Sequence, residues 1–508
     1  MENQKIIVID FGGQYKELIA RTVRSQNVLS IIKPCTTTTV EDIKKINPIG
    51  LILTGGPSSV YGEDAPKYDR GIFDLGIPIL GICYGAQLMA YLNNGVVVQA
   101  QTGEYGTVAT NISNSVLFNG LPNQINTLMS HRDIVSHLSE DFKITATTEN
   151  NIAAFENNAR KLYGVQFHPE TTHTQFGKQI IGNFLYEVCK AKGDYLLDDY
   201  IDAKIKEIQN IVGDKRVLMA ISGGLDSAVT ATLISKSIGD RLKCVFVDSG
   251  LMRLNEGDNL EKEFHKLDIK VLRIKAEQRF LNGLKGIDDP EKKRKIIGAE
   301  FIHIFEEVAK QYDGIEFLGQ GTIYPDIIES GGLGATIKSH HNVGGLPDIM
   351  KFEGKIEPLS GLFKDEVREL GRKLGLDDFF INRQPFPGPG LGIRVIGEVT
   401  KERLEIVRQA DDIWCRNIEE ALPLKERPSQ YFAAITNSVA TGIKGDARTR
   451  DQIVALRAVD TDDFMTCTVS EIPYKTLIKS ASDISKLHGV SRVLFEYTGK
   501  PPATTEYE

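Results

Sequence analysis

Ile77-Pro78-Ile79-Leu80-Gly81-Ile82-Cys83-Tyr84-Gly85-Ala86-Gln87-Leu88-Met89-Ala90-Tyr91-Leu92 decides how the first part of this chain is read. A short apolar run, Ile77 to Ile82, ends in a tight turn, and helical spacing follows from Ala86 to Leu92. That is a strand passing directly into a helix. The same alternation precedes it, in Ile6 to Ile9, then Tyr15 to Ser25, then Ile49 to Leu53. Alternating strands and helices imply a largely parallel sheet. In such sheets reactive groups gather at the carboxyl ends of the strands, where Asp10, Thr54-Gly55-Gly56-Pro57 and Cys83 all fall.

The turn Gly81-Ile82-Cys83-Tyr84-Gly85 matches a nucleophile elbow with cysteine in place of serine. Glycines on both sides permit the tight backbone, and the positive end of the following helix favours a thiolate. A free cysteine is often only a small buried hydrophobe. Phe167-His168-Pro169-Glu170, after the apolar run Leu162 to Gln166, argues for more: it supplies an imidazole and a carboxylate two residues on to orient it. Backbone N–H groups of the Thr54–Pro57 loop and of Tyr84 are candidates for an oxyanion site. These pieces together resemble the class I glutamine amidotransferase domain. The resemblance implies a γ-glutamyl thioester on Cys83, proton movement by His168 and steering by Glu170. It also implies oxyanion and glutamine contacts at Gly55, Gly56, Tyr84 and Gln87.

The whole chain bounds the reading. At 508 residues it is too long for one hydrophobic core. No apolar run approaches the roughly 20 residues of a membrane span, and 41% hydrophobic with 25% charged residues is ordinary for a soluble protein. The N-terminal apolar run is too short for a secretory signal, so a cytoplasmic location is expected. Six scattered cysteines without a Cys-x-x-Cys pair indicate reduced thiols. A formal charge of -8 argues against a nucleic-acid partner and leaves small phosphorylated ligands open.

Near Lys190 to Asp199 the pattern loosens, and a helix from Tyr200 to Ile211 leads into a new strand, Val217 to Ile221. Cys244 to Val247, Val271 to Ile274 and Phe317 to Leu318 continue as strands of a second doubly wound domain. Between the strand ending at Ile221 and a helix expected near Ala228 lies Ser222-Gly223-Gly224-Leu225-Asp226-Ser227. Its N–H groups and hydroxyls suit anionic oxygens, and no Gly-Lys-Ser/Thr closes it as in a Walker A loop. The string resembles the PP-loop of ATP pyrophosphatases, which adenylate an acceptor and release pyrophosphate. Asp226 suits the Mg²⁺ that accompanies ATP; Asp248, ending the next strand, could assist or merely cap a turn. Lys292, Lys293, Arg294 and Lys295 crowd a helix start, where cations oppose the dipole. They read either as a solvated patch or as a phosphate-gripping lid, with Lys293 and Arg294 its expected grip. Lys364 reads as a solvated helix lysine from its residues alone, and the resemblance makes it a partner of the transferred phosphoryl group.

Pro385-Phe386-Pro387-Gly388-Pro389-Gly390 can continue neither helix nor strand and marks the next boundary. Beyond it come a helix from Thr400 to Ala421 and strand-like runs at Tyr431 to Thr436, Asp463 to Val469 and Arg492 to Tyr497. The expected fold is therefore α/β: two doubly wound, mostly parallel-sheet domains, residues 1–189 and 190–384, then a small α+β domain, residues 385–508.

A glutaminase joined to a PP-loop domain, with Gly319-Gln320-Gly321-Thr322-Ile323-Tyr324-Pro325-Asp326, Ser339-His340-His341-Asn342-Val343-Gly344-Gly345-Leu346-Pro347 and Gln384 to Gly390, resembles the bacterial GMP synthetases over nearly the whole chain. The resemblance, and nothing in composition or spacing, implies xanthosine 5′-monophosphate (XMP) as acceptor, adenylated at its C2 oxygen by ATP and then aminated to GMP. It implies acceptor contacts at Arg394, Lys500 and Glu506, and a homodimer formed through the C-terminal domain. Read without it, Pro387 to Gly390 is a linker and Lys500 to Glu508 a frayed tail. Two departures stand out: Gly13 where relatives commonly have serine, and a tail without their isoleucine and tryptophan. An amidotransferase with another acceptor shares both motifs, so the last 120 or so residues discriminate.

Overall fold

Ile6 to Ile9 are buried on both faces of strand β1 (Lys5–Asp10), which is why this run lacks the alternation of a half-exposed strand. The computed structural model describes residues 3–149, 151–312, 314–329, 352–445, 447–461 and 466–508. They form two units, Met1–Asp199 and Tyr200–Glu508.

In the first unit β2 (Leu29–Pro34), β3 (Gly50–Leu53), β4 (Ile79–Ile82), β5 (Val96–Ile112), β6 (Gln124–His137), β7 (Lys143–Thr147), β8 (Ile152–Asn157) and β9 (Leu162–Val165) join β1 in one sheet of order β2-β1-β3-β4-β9-β8-β7-β5-β6. The half from β2 to β9 is parallel. The half from β8 to β6 is antiparallel. The parallel half matches the expected rhythm. The long β5–β6 pair was not anticipated: β6 alternates in burial but places polar Thr127, His131 and Asp133 at covered positions, and β5 is open along most of its length, so neither shows the apolar alternation by which strands are recognised.

The second unit opens with a parallel sheet, β10 (Arg216–Ala220), β11 (Leu242–Asp248), β12 (Val271–Lys275), β13 (Ile315–Gly319) and β14 (Gly354–Ile356), in the order β12-β11-β10-β13-β14. The crossing of order between β11 and β13 beside β10 is a topological switch point, where open α/β sheets bind ligands. The rest of the unit holds β15 (Gln430–Lys444), paired antiparallel with β16 (Ala447–Asp460). The opposite edge of β16 carries β17 (Thr468–Val469), antiparallel, and β18 (Val490–Phe495), parallel. The helices Lys401–Ala421 and Tyr474–Ser485 pack on this sheet around the buried Trp414.

One core runs from Leu218 and Val247 through Leu391 and Val395 to Val407 and Ile435, so the Pro387–Gly390 stretch is not a bare linker. Gly390 has φ +62, and a Cβ there would stand 2.3 Å from the Leu251 carbonyl oxygen. Only glycine accommodates both. The motif Ser339 to Pro347 lies outside the described residues.

Candidate active sites

In the first unit β4 delivers Cys83 to the start of the helix Tyr84–Leu92 with φ 53 and ψ -107. A non-glycine residue at positive φ is uncommon and strained; here the turn is fixed from both sides. A Cβ on Gly81 would lie 2.6 Å from the Gly85 backbone, and one on Gly85 would lie 2.6 Å from the Leu53 carbonyl oxygen. The Gly85 N–H donates to the Thr54 carbonyl at 3.1 Å, and Thr54 Oγ1 accepts from Phe11 N–H at 3.0 Å while donating to the Gly55 carbonyl at 2.8 Å. Gly55 and Gly56 are thereby held over the elbow. A Cβ at Gly55 would meet His168 Cε1 at 3.4 Å, and one at Gly56 would meet the Tyr84 ring at 3.3 Å.

His168 follows β9 and lies buried beside the thiol, its Nδ1 2.8 Å from Glu170 Oε1, with the Glu170 side chain fully covered. Burial alone would lower the imidazole pKa. Hydrogen bonds to Cys83 and Glu170, with the charge on both, outweigh it and push the value up to about 10. The direction of the shift favours the protonated ring. The Tyr15 ring packs edge-on against it at 5.0 Å.

The other expected contacts divide. The Tyr84 phenol is in the core, with its pKa pushed up to about 12 by burial, so only its backbone N–H, in the unpaired first turn of a helix, suits an oxyanion. Gln87 Nε2 donates to the Asp133 carbonyl at 2.7 Å and to Gln166 Oε1 at 3.2 Å, while Gln166 Nε2 approaches Cys83 Sγ at 3.7 Å. Gln87 thus acts on the site through Gln166. That residue went unnoticed as a site member, although its position two before His168 is a local signal. A buried pair, His131 Nε2 and Glu104 Oε2 at 3.1 Å, was also missed; its members come from opposite strands of the unread β5–β6 pair.

In the second unit the Ser222–Ser227 loop leaves β10, and its helix begins at Leu225, three residues earlier than expected. Asp226 and Ser227 therefore sit in the first helical turn. Ser222 Oγ and Ser227 Oγ are 3.1 Å apart, and the Gly224 N–H faces Ser222 Oγ at 3.3 Å. Lys364, the first residue of the helix Lys364–Leu374, places Nζ 2.7 Å from both Asp226 carboxylate oxygens. Two residues expected at the phosphates thus meet each other. Gly321 packs on the loop, since a Cβ there would be 3.1–3.2 Å from the backbone of Asp226 and Ser227. Asp248 is bound by Arg273, whose Nε and Nη2 reach Oδ2 at 3.0 and 2.6 Å.

The basic helix start and the tail differ from expectation. Asp289 caps the helix Pro290–Ala309 by accepting from Lys292 N–H at 2.8 Å. Lys293 is fully buried and donates to the Val395 carbonyl at 2.7 Å and to the Glu508 carboxylate, while Arg294 reaches the Glu508 backbone oxygen. Both thus meet Glu508. Arg394, also fully buried, donates from Nε and Nη2 to the two Glu506 oxygens at 3.0 Å each, and Gln430 donates to Glu506 at 2.7 Å. A guanidinium without solvent needs such carboxylate partners, and Arg394 and Glu506 partner each other here. Arg457 adds bonds to the carbonyls of Thr498, Thr504 and Thr505 at 3.1, 2.7 and 3.0 Å. Lys500 pairs its backbone with Cys467. The tail is docked, not frayed.

Residues 7–188 match the class I glutamine amidotransferase family and residues 418–507 the GMP synthase C-terminal domain family. The elbow, the imidazole and the carboxylate of the first unit lie in a domain of that amidotransferase class. Over the full length, the chain is 50% identical to the glutamine-hydrolysing GMP synthase of Finegoldia magna and 52% identical to that of Clostridium novyi, covering 100% of this chain and of each relative. The corresponding enzyme of Treponema denticola is 50% identical over 99% of this chain and 97% of its own. The chain belongs to the glutamine-hydrolysing GMP synthase family, whose members are ATP-dependent ligases.

Proposed function

We propose that this chain releases ammonia from glutamine at Cys83 and uses it to convert XMP, activated by ATP at the Ser222–Ser227 loop, into GMP. The observation that carries this reading is the match to GMP synthases along the entire chain, joined to an imidazole that is both buried beside Cys83 and bonded to Glu170.

In the first half-reaction Cys83 attacks the side-chain carbonyl of glutamine as the thiolate, its proton resting on His168, and N–H groups at Gly55, Gly56 and Tyr84 receive the oxyanion. With that proton, the first act of His168 is as an acid: it protonates the departing nitrogen as the C–N bond breaks, giving ammonia and a thioester. Neutral His168 then takes a proton from water, which attacks the thioester and releases glutamate. Glu170 keeps the ring oriented and its charge compensated throughout.

In the second half-reaction the C2 oxygen of XMP attacks the α-phosphorus of ATP and pyrophosphate leaves; ammonia then attacks C2 and AMP leaves. The loop hydroxyls and N–H groups hold the phosphates, and Lys364 balances their charge. The single carboxylate of Asp226 fits Mg²⁺, which takes one or two carboxylates with substrate phosphates and would neutralise charge there. We further propose the division into residues 1–189, 190–384 and 385–508, a homodimer, and a cytoplasmic setting. Among the described residues no helix is long and apolar enough to cross a membrane.

The test is incubation with ATP, Mg²⁺, glutamine and either XMP or another acceptor, following AMP release. AMP and GMP formed only with XMP support the reading. Turnover with a different acceptor and none with XMP overturns it.

A further inference from the structure

Arg383 makes contacts that the reaction scheme above does not use. It immediately precedes the Gln384–Gly390 turn, and its side chain is 9% exposed. Nη1 donates to the Gly223 carbonyl at 3.0 Å, 160 residues earlier in the chain. Nη2 pairs with Glu256, whose side chain is 6% exposed. A guanidinium so covered is costly unless its fork meets acceptors; the acceptors here are one carboxylate and one carbonyl of the phosphate loop.

The geometry of that carbonyl matters. C=O and N–H of a trans peptide point in opposite directions, so drawing Gly223 O toward Arg383 turns Gly224 N–H the other way. That N–H faces Ser222 Oγ, which is in contact with Ser227 Oγ. Gly223 stands at φ +79, and a Cβ there would lie 2.9 Å from Leu260 and 3.2 Å from Glu256 Oε1. The helix Glu256–Lys266 thus walls one side of the loop while Arg383 ties the peptide down. The other end of the tie is also fixed, because Gln384 Oε1 accepts from Tyr431 N–H of β15 at 2.8 Å.

We infer that Arg383, oriented by Glu256, is a positioning residue that sets the Gly223–Gly224 peptide so that the loop's donors face a bound phosphate. This rests on the reading of Ser222–Ser227 as the ATP loop.

The experiment compares full-length Arg383→Lys, Glu256→Gln and the double variant with the parent chain. Ammonium salt is the nitrogen source, KM and kcat for ATP are measured, and KM for glutamine is read in a separate glutaminase assay. A charge-assisted bond lost at the loop is expected to raise KM for ATP about tenfold or more, with KM for glutamine unchanged. The double variant should be little worse than either single one, and amide exchange at residues 223–227 should accelerate. Asp226→Asn is run alongside. If it abolishes ATP turnover while KM for ATP stays constant in Arg383→Lys and Glu256→Gln, the positioning role is refuted, even if thermal stability falls. If ATP turnover survives in Asp226→Asn, the loop reading itself fails. Should Arg383→Lys not fold, Glu256→Gln alone decides.

Discussion

Replacing Glu170 by glutamine would keep the size and an acceptor oxygen 2.8 Å from His168 Nδ1 while deleting the charge. His168 has its pKa pushed up to about 10 against an opposing burial effect, by bonds and charge from Cys83 and Glu170. A hydrogen bond to a charged group contributes about 1.5–3 kcal/mol, and one pH unit corresponds to about 1.4 kcal/mol. Glu170→Gln should therefore lower the imidazole pKa by about one to two pH units. The sign for stability follows from linkage. A pKa raised on folding stabilises fully below the unfolded value near 6.5, and that contribution is lost as pH rises through about 10. The variant should lose it over a lower and narrower range. The assay is an NMR titration of the His168 ring signals from pH 6 to 11 in both proteins, with glutaminase rates over the same range. An imidazole that titrates identically in both would refute the argument that Glu170 holds the proton on His168.

Arg394→Met should destabilise the second unit by about 3 kcal/mol in urea denaturation, because the buried Asp411 and the part-buried Glu506 would lose the guanidinium between them. Gly390→Ala should cost about 2–4 kcal/mol, since a positive φ and a 2.3 Å approach to the Leu251 carbonyl must both be relieved; a thermal midpoint equal to the parent's would contradict the fold described. Lys364→Met should leave glutamine hydrolysis intact and cut ATP consumption by about a hundredfold, measured as AMP release with ammonium salt. Gln166→Leu should slow glutamine hydrolysis with ATP consumption from ammonium salt unchanged, because its amide approaches Cys83 Sγ beside His168.

What the sequence disclosed is largely what is local in it. The elbow could be read because its strand, its two glycines and its helix lie within sixteen residues, and each glycine proves to be pressed against backbone. His168 and Glu170 are two residues apart and meet as the spacing implied. The Ser222–Ser227 loop lies between a strand and a helix as its residues imply, but its helix starts one turn earlier than expected, because glycines and serine delay the apolar period. What escaped notice depends on distant pairing. Arg394 and Glu506 are 112 residues apart and Lys293 and Glu508 are 215 apart, so these ion pairs leave no local mark in the sequence. The β5–β6 pair was illegible for a different reason: the covered positions of β6 include Thr127, His131 and Asp133, and most of β5 is open, so the apolar alternation that marks a strand is missing.

The most direct test of the whole account separates nitrogen release from nitrogen acceptance. Cys83→Ala, assayed for GMP formation from XMP and ATP, should form none with glutamine and retain the parent's rate with ammonium salt. Loss of both activities in a folded protein, or retention of the glutamine-dependent one, would contradict the assignment of the two half-reactions to Cys83 and to the Ser222–Ser227 loop.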